Sequence, residues 1–209
     1  MNLVHPEIDA YLAGLAAHGD PVLADMERLG DERDFPIVGS QVGRLLEVAA
    51  RSCGARRVLE LGSGFGYSAY WFLRAVGPEG TVLLTEGSEE RAKEAEAFLT
   101  RGGFAGRFRI EVGDGLEIAA ALTGPFDIVF CDVDKHDYPR ALPLARRLLR
   151  MGGLFITDNM LWDGKVLAPD DRQTRGVLEL THELYAAKDF VTTLVPIRDG
   201  LTVAVKLAL

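Results

Sequence analysis

The residues of this chain best suited to chemistry fall in three places. The first is Val58-Leu59-Glu60-Leu61-Gly62-Ser63-Gly64-Phe65-Gly66-Tyr67-Ser68, where a short apolar run ends in glycines at alternate positions and a helical pattern follows from Ser68 to Val76. Such glycines let the backbone take positive φ and let a ligand approach the main chain without meeting a Cβ. The N–H groups that open the following helix offer donors to an anionic group. A dinucleotide fingerprint needs G-x-G-x-x-G; Gly62 and Gly64 fit, but the next required position is Tyr67, and Gly66 comes one place early. The Lys-Ser/Thr ending of a phosphate loop is missing. Glu60, two residues before the first glycine, would repel a pyrophosphate and suits an ammonium group instead. Glu86, just beyond the apolar run Thr81 to Thr85, can accept from ribose hydroxyls. A ribose, a cationic amine and no phosphate together describe S-adenosylmethionine. The glycine turn by itself would serve equally as a tight strand-to-helix connection.

The second and third places are Asp132-Val133-Asp134-Lys135-His136 and Asp158-Asn159, each coming directly after an apolar run. Asp132, Asp158 and Asn159 are hard oxygen donors, which suit Mg²⁺, Mn²⁺ or Ca²⁺ far better than zinc. Lys135 lies three residues beyond Asp132 and could point into the same cleft, where a partly buried lysine near a cation can act as a base. Its spacing suits an ion pair with Asp134 or Asp137 at the surface just as well.

The elements that must position these residues can be read from periodicity. Apolar positions recur at helical spacing from residue 6 to about 30, with a break near Gly19-Asp20-Pro21, where Asp20 reads as N-cap and Pro21 as first helical residue. A further helix runs from Ser40 to Ser52, preceded by a loop, Pro36-Ile37-Val38-Gly39, able to reach over a ligand. From there strands and helices alternate. The strands are Val58 to Leu61, Thr81 to Thr85, Arg107 to Val112, Asp127 to Cys131 and Leu154 to Thr157; the helices are Ser68 to Val76, Ser88 to Arg101, Leu116 to Leu122 and about Tyr138 to Arg150. Pro143 should kink the last of these or push its start downstream. Continuous apolar strands between amphipathic helices mean a parallel sheet covered on both faces. The tail differs: a helix from about Asp171 to Ala187, then strands Phe190 to Pro196 and Leu201 to Lys206 around a two-residue Asp199-Gly200 turn, so the sheet should end in an antiparallel pair. Ligands of such sheets bind beyond the carboxyl ends of the strands. At those ends, in chain order, stand the glycine turn, Glu86, Gly113-Asp114-Gly115, Asp132 to His136, and Asp158-Asn159.

The 209 residues suit one domain, residues 1–209, with 1–55 as a helical cover and 56–209 as a Rossmann-like core. A net charge of −8, from 31 acidic and 23 basic residues, argues against broad nucleic-acid or anionic-membrane binding. No apolar run approaches the ~20 residues of a membrane span. Met1 to Glu7 shows no basic n-region with an apolar h-region, so a cytoplasmic location is expected. Cys53 and Cys131 read as reduced, small core residues, and His136 and His182 as surface residues.

The glycine turn with Gly66-Tyr67-Ser68, Asp132-Val133-Asp134-Lys135, Asp158-Asn159-Met160-Leu161-Trp162-Asp163-Gly164 and Asp199-Gly200-Leu201 resemble, in order and spacing, the cation-dependent O-methyltransferases. That group contains the catechol and caffeoyl-CoA O-methyltransferases and many bacterial relatives, and the likeness runs from about Pro36 to the end. It implies an α/β class I methyltransferase fold: a doubly wound, mostly parallel seven-stranded sheet with its last strand antiparallel. It implies metal ligation by Asp132, Asp158 and Asn159, with Mg²⁺ foremost, and Lys135 as general base. It implies cofactor contacts from Val38, Glu60, Gly62, Ser63, Gly64, Ser68, Glu86, Gly113, Asp114, Gly115 and Asp132, with Glu86 at the ribose, Asp114 and its neighbours at the adenine, and Glu60, Gly62 and Ser68 at the methionine end. Members are often homodimers, which would give the N-terminal helices a use. Two positions depart from the animal catechol enzyme: Thr193 stands where it has a Glu orienting the second hydroxyl, and Asp134 replaces its gatekeeping aromatic. The loop Lys165 to Arg175 matches the plant acyl-CoA enzymes only loosely. The implied acceptor is a small aromatic vicinal diol, with Trp162 and Phe35 as candidate walls. One rival keeps the fold and methylates a hydroxylated uridine in transfer RNA through a basic strip of Arg140, Arg146, Arg147 and Arg150. Another is a non-catalytic nucleoside-binding module, which would have no use for the Asp132/Lys135/Asp158/Asn159 set.

Overall fold

A computed structural model describes residues 4–208; residues 1–3, part of the opening stretch read for a leader, and residue 209 lie outside it. Seven strands form one sheet in the order β3-β2-β1-β4-β5-β7-β6. These are β1 (Arg57–Leu61), β2 (Thr81–Glu86), β3 (Phe108–Val112), β4 (Phe126–Cys131), β5 (Leu149–Thr157), β6 (Phe190–Val195) and β7 (Leu201–Lys206). The first five are parallel, and β7 lies between β5 and β6, antiparallel to both. The seven-stranded architecture and antiparallel last strand are as the sequence and its resemblance led us to expect.

Both faces are covered. On one lie α2 (Pro21–Glu32), α3 (Gly39–Ser52), α4 (Tyr67–Ala75) and α5 (Glu89–Arg101), enclosing Met26, Leu46, Trp71, Phe72 and Leu99. On the other lie α6 (Gly115–Ala121), α7 (Tyr138–Leu148) and α8 (Arg172–Ala186), enclosing Tyr138, Leu142, Val177 and Leu180. Strand side chains alternate between the faces: Val58 joins the first core and Leu59 the second. The same alternation aims Glu60 at the first face, toward α4. A short α1 (Pro6–Leu15) sits outside, with none of its residues buried. No helix among the described residues is long and apolar enough to cross a membrane.

Local capping chemistry acts as read. The Asp20 carboxylate accepts from the N–H groups of Val22 and Leu23 at the start of α2, and the Ser88 hydroxyl accepts from Arg91 N at the start of α5. Both cysteines are free. Two details differ from the reading, and one alternative it left open is decided. β5 starts five residues earlier than Leu154, passing through Gly152 and Gly153 with a register irregularity against β4. Those glycines permit close backbone approach instead of ending the strand: a Cβ on Gly153 would lie 3.0 Å from the Asp127 carbonyl oxygen. The helix α7 begins at Tyr138 and carries Pro143 inside, its start not displaced, with Pro139 in the first turn, where a missing N–H costs nothing. The hairpin connection is not a two-residue turn. Val195 pairs with Leu201, leaving residues 196–200 as the loop, because Pro196 has no N–H to extend the ladder.

Candidate active site

At the carboxyl ends of β1 and β4 a cavity of about 330 Å³ is lined by the glycine turn, Val38, Glu86, Asp132 and Lys135. Gly62, at φ +81, lies so close to β4 that a Cβ there would sit 2.5 Å from the Asp132 carbonyl oxygen. Gly66, at φ +88, opens α4 and brings it against Ala95 of α5, the close helix packing for which the sequence offered no fingerprint position. Ser63, Gly64 and Ser68 also line this cavity. Phe35 closes it from the side, stacked obliquely on Phe65 with ring centroids 5.3 Å apart.

Two carboxylates stand behind and beside the turn. Glu60 is fully buried beneath it, accepts from the Ser68 hydroxyl through Oε1, and leaves Oε2 with no partner. Burial, with added repulsion from Asp132 and Glu86, pushes its carboxyl up to about 8. Glu86 ends β2 and accepts from Ser88 N at 2.8 Å and from Arg91 Nε at 2.9 Å, all on Oε1. Arg91 itself lines the cavity with its guanidinium over the Phe35 ring. Sequence reading missed Arg91; its place in the first turn of the helix after Glu86 was the available signal. Gly113, Asp114 and Gly115 do not line this cavity. The Asp114 carboxylate caps α6, accepting from Leu116 N and Glu117 N, while Gly115 packs against Thr85.

A second cavity, of about 200 Å³, adjoins the first and shares Asp132, Val133, Asp134, Lys135, Pro36 and Ile37 with it. Asp158, Asn159, Trp162 and Gln173 complete its wall. Lys135 is nearly buried, with Nζ 2.6 Å from Asp132 Oδ1 and 3.3 Å from the Val133 carbonyl oxygen. Its ammonium lies over the rings of Tyr138 and Trp162, at 5.2 and 5.6 Å from their centroids. The partner of Lys135 is thus Asp132 inside the cleft; the alternative pairing with Asp134 or Asp137 is not formed. Asp158 is buried, and the Tyr138 hydroxyl donates to its backbone carbonyl at 2.8 Å. Burial and the neighbouring Asp132 charge push its carboxyl well above the usual carboxylate range. Asn159, at φ +55, donates from Nδ2 to Asp199 Oδ2 at 3.2 Å.

Among the described residues no three His, Cys, Asp or Glu side chains gather as a metal set. The oxygen donors here are of another composition, two carboxylates and one amide. That composition fits a hard divalent cation and no soft one.

The chain has the sequence of a known family over nearly its whole length: the O-methyltransferase model matches residues 17–207. It belongs to the O-methyltransferase family. The chain is 37% identical to a catechol O-methyltransferase of Mycobacterium tuberculosis over 79% of this chain and 77% of that protein. It is 32% identical to a catechol O-methyltransferase of Niastella koreensis, covering 85% and 82%. Among solved structures, the O-methyltransferase TomG of Streptomyces achromogenes, in complex with S-adenosylmethionine, superposes with a TM-score of 0.89 at 32% identity, covering 97% of this chain and 96% of that one.

In this O-methyltransferase the arginines considered as a nucleic-acid strip are already engaged. Arg140 pairs with Asp137 and Glu117, Arg146 with Asp189, and Arg150 with Asp127, while Arg147 donates to the carbonyls of Ala119, Ala120 and Leu122. His136 is held by Gln173, whose side-chain oxygen accepts from His136 N at 2.7 Å.

Proposed function

We propose that this O-methyltransferase moves the methyl group of S-adenosylmethionine to one hydroxyl of a small aromatic vicinal diol, using a divalent cation and Lys135. The observation that carries this reading is the wall common to the two cavities. Asp132 and Lys135 face both, so a donor seated on the glycine turn and an acceptor seated beside Asp158 and Asn159 meet at that edge. The catechol O-methyltransferases among its relatives support the diol as acceptor.

Asp132, Asp158 and Asn159 would hold the cation, with Mg²⁺ the first ion to try because it keeps positions open for other oxygens. When bound, it supplies Lewis acidity that makes the acceptor hydroxyl easier to deprotonate. The chain's own residues do the rest. Pro36, Ile37 and Trp162 line the second cavity and would keep water from an aromatic acceptor and align its ring. Lys135 Nζ, as the general base, takes the acceptor's proton. The phenolate oxygen then attacks the methyl carbon in line: the O–C bond forms, the S–C bond breaks, and S-adenosylhomocysteine leaves with the sulfur's electron pair restored. Holding both reactants at contact distance supplies much of the rate gain.

Two features favour a small acceptor and a paired molecule. The four arginines of the basic strip spend their donors inside the protein, which leaves little for a phosphate backbone. On α1, Ile8, Tyr11, Leu12 and Leu15 are exposed at the spacing of one helical stripe, a surface suited to a second copy of this chain. Labelled S-adenosylmethionine offered with catechol, a caffeoyl ester and bulk transfer RNA tests the reading. Ion-dependent labelling of a diol is expected. Undiminished transfer in excess chelator, or labelling of the RNA alone, would overturn it.

A further inference from the structure

The loop of residues 196–200 reaches across from the β6–β7 hairpin to the segment that carries Asp158 and Asn159. Met160 N donates to the Gly200 carbonyl at 2.9 Å and Leu161 N to the Asp199 carbonyl at 2.8 Å. Gly200, at φ +84, leaves no room for a side chain: a Cβ there would lie 2.9 Å from Leu161 N. The clamped segment is bent, with Asn159, Trp162 and Asp163 all at positive φ, a conformation that non-glycine residues hold only when their surroundings impose it.

These main-chain bonds tie the loop to the segment. The Asp199 carboxylate does something further. Its Oδ1 accepts from Asp163 N at 2.6 Å and its Oδ2 from Asn159 Nδ2 at 3.2 Å. An ionised carboxylate only accepts, so the edge of the Asn159 amide that meets it must be the NH₂. The carbonyl oxygen is then left for the cavity that Asn159 lines with Asp132 and Asp158. The two ends of an amide are nearly the same size, so packing alone would not prevent a half-turn. A turned amide would present N–H hydrogens to a cation and repel it.

We propose that Asp199 is a positioning residue that fixes the Asn159 amide with its oxygen, not its nitrogen, toward the cation. This rests on the cation site proposed above. The test is Mn²⁺ alone, titrated into the full chain and followed by electron paramagnetic resonance. Asp199→Asn keeps the shape and one acceptor, which the shorter bond from Asp163 N retains, and turns an NH₂ toward Asn159. Mn²⁺ affinity is expected to fall about 10- to 100-fold, the range seen when partners of metal ligands are lost, with Tm little changed. Combining it with Asn159→Asp should restore binding, because the introduced carboxylate accepts from the new NH₂ with one oxygen and offers the other to the ion. Asn159→Asp alone controls for added charge, so the double-mutant cycle should show coupling of about tenfold or more. Wild-type affinity in Asp199→Asn, or two substitutions acting independently, overturns the role of Asp199. A wild-type protein that takes up no Mn²⁺ overturns the cation site and this role with it.

Discussion

The two ends of the same sheet treat polar groups in opposite ways. At the amino ends of the strands the groups are saturated. Asp127 accepts from Arg56 N and Arg57 N, both at 2.8 Å, and from Arg150 Nε at 2.6 Å. The Arg107 guanidinium donates to the carbonyls of Leu73, Gly77 and Gly80, closing the end of α4 against the start of β2. At the opposite end of the sheet several groups are short of partners. Glu60 Oε2 has none, the hydroxyls of Thr157 and Thr202 have none although the two residues are opposed in register, and Asp158 shares its cavity with Asp132. Unspent polar capacity in a buried place costs stability unless something else binds there. One end of the sheet therefore serves the fold, and the other carries the polar groups that line the two cavities.

That contrast can be broken in several ways. The largest effect is expected from Lys135→Ala, which should lower kcat by about 10²- to 10⁴-fold, the usual worth of a general base, with S-adenosylmethionine affinity changed by a small factor. Stopped-flow turnover beside equilibrium cofactor binding checks it, and unimpaired turnover would remove Lys135 from the mechanism. Next comes the pH dependence of the ligand-free protein. Glu60 ionises near 4.5 when unfolded and near 8 when folded, so the unfolded chain releases its proton first. Stability should then decline as pH rises from 4.5 to 8. Glu60→Gln should flatten that limb in denaturant titrations; a slope identical to wild type would contradict the assigned burial cost.

At the saturated end the sign reverses. Burial alone would raise the Asp127 carboxyl, but the Arg150 bond and the two backbone N–H groups outweigh it and hold it below its usual range. Its contribution is present above pH 3.8 and lost as pH falls through the depressed value. Asp127→Ala should cost about 1–3 kcal/mol by stranding those donors, with kcat per folded molecule unchanged. A loss of turnover without a loss of stability would mean the two ends are not separable. The smallest effect belongs to Thr157→Val with Thr202→Val. Removing both orphaned hydroxyls together should be neutral or stabilising by up to about 1 kcal/mol, read as Tm.

Much of this was legible before folding was considered. The strand-and-helix alternation, the Asp20 and Ser88 caps, the glycine turn and the polar residues at the strand ends depend on neighbours within a few positions. Periodicity and capping chemistry act at that range, so the chain states them locally. Even the side of the sheet to which Glu60 points is set by Val58 two residues earlier. What the tertiary structure decided is which of these separate residues meet. Lys135 chose Asp132 over Asp134 or Asp137 because the cleft between β4 and β5 buries it. The arginine strip was consumed by acids and carbonyls, most of them more than 20 positions away, and residues 36–37 became a wall shared by two cavities. Asp199 came to Asn159 across 40 positions only because β7 inserts between β5 and β6. Such meetings are set by long-range pairing and packing, and no local pattern in the sequence encodes them.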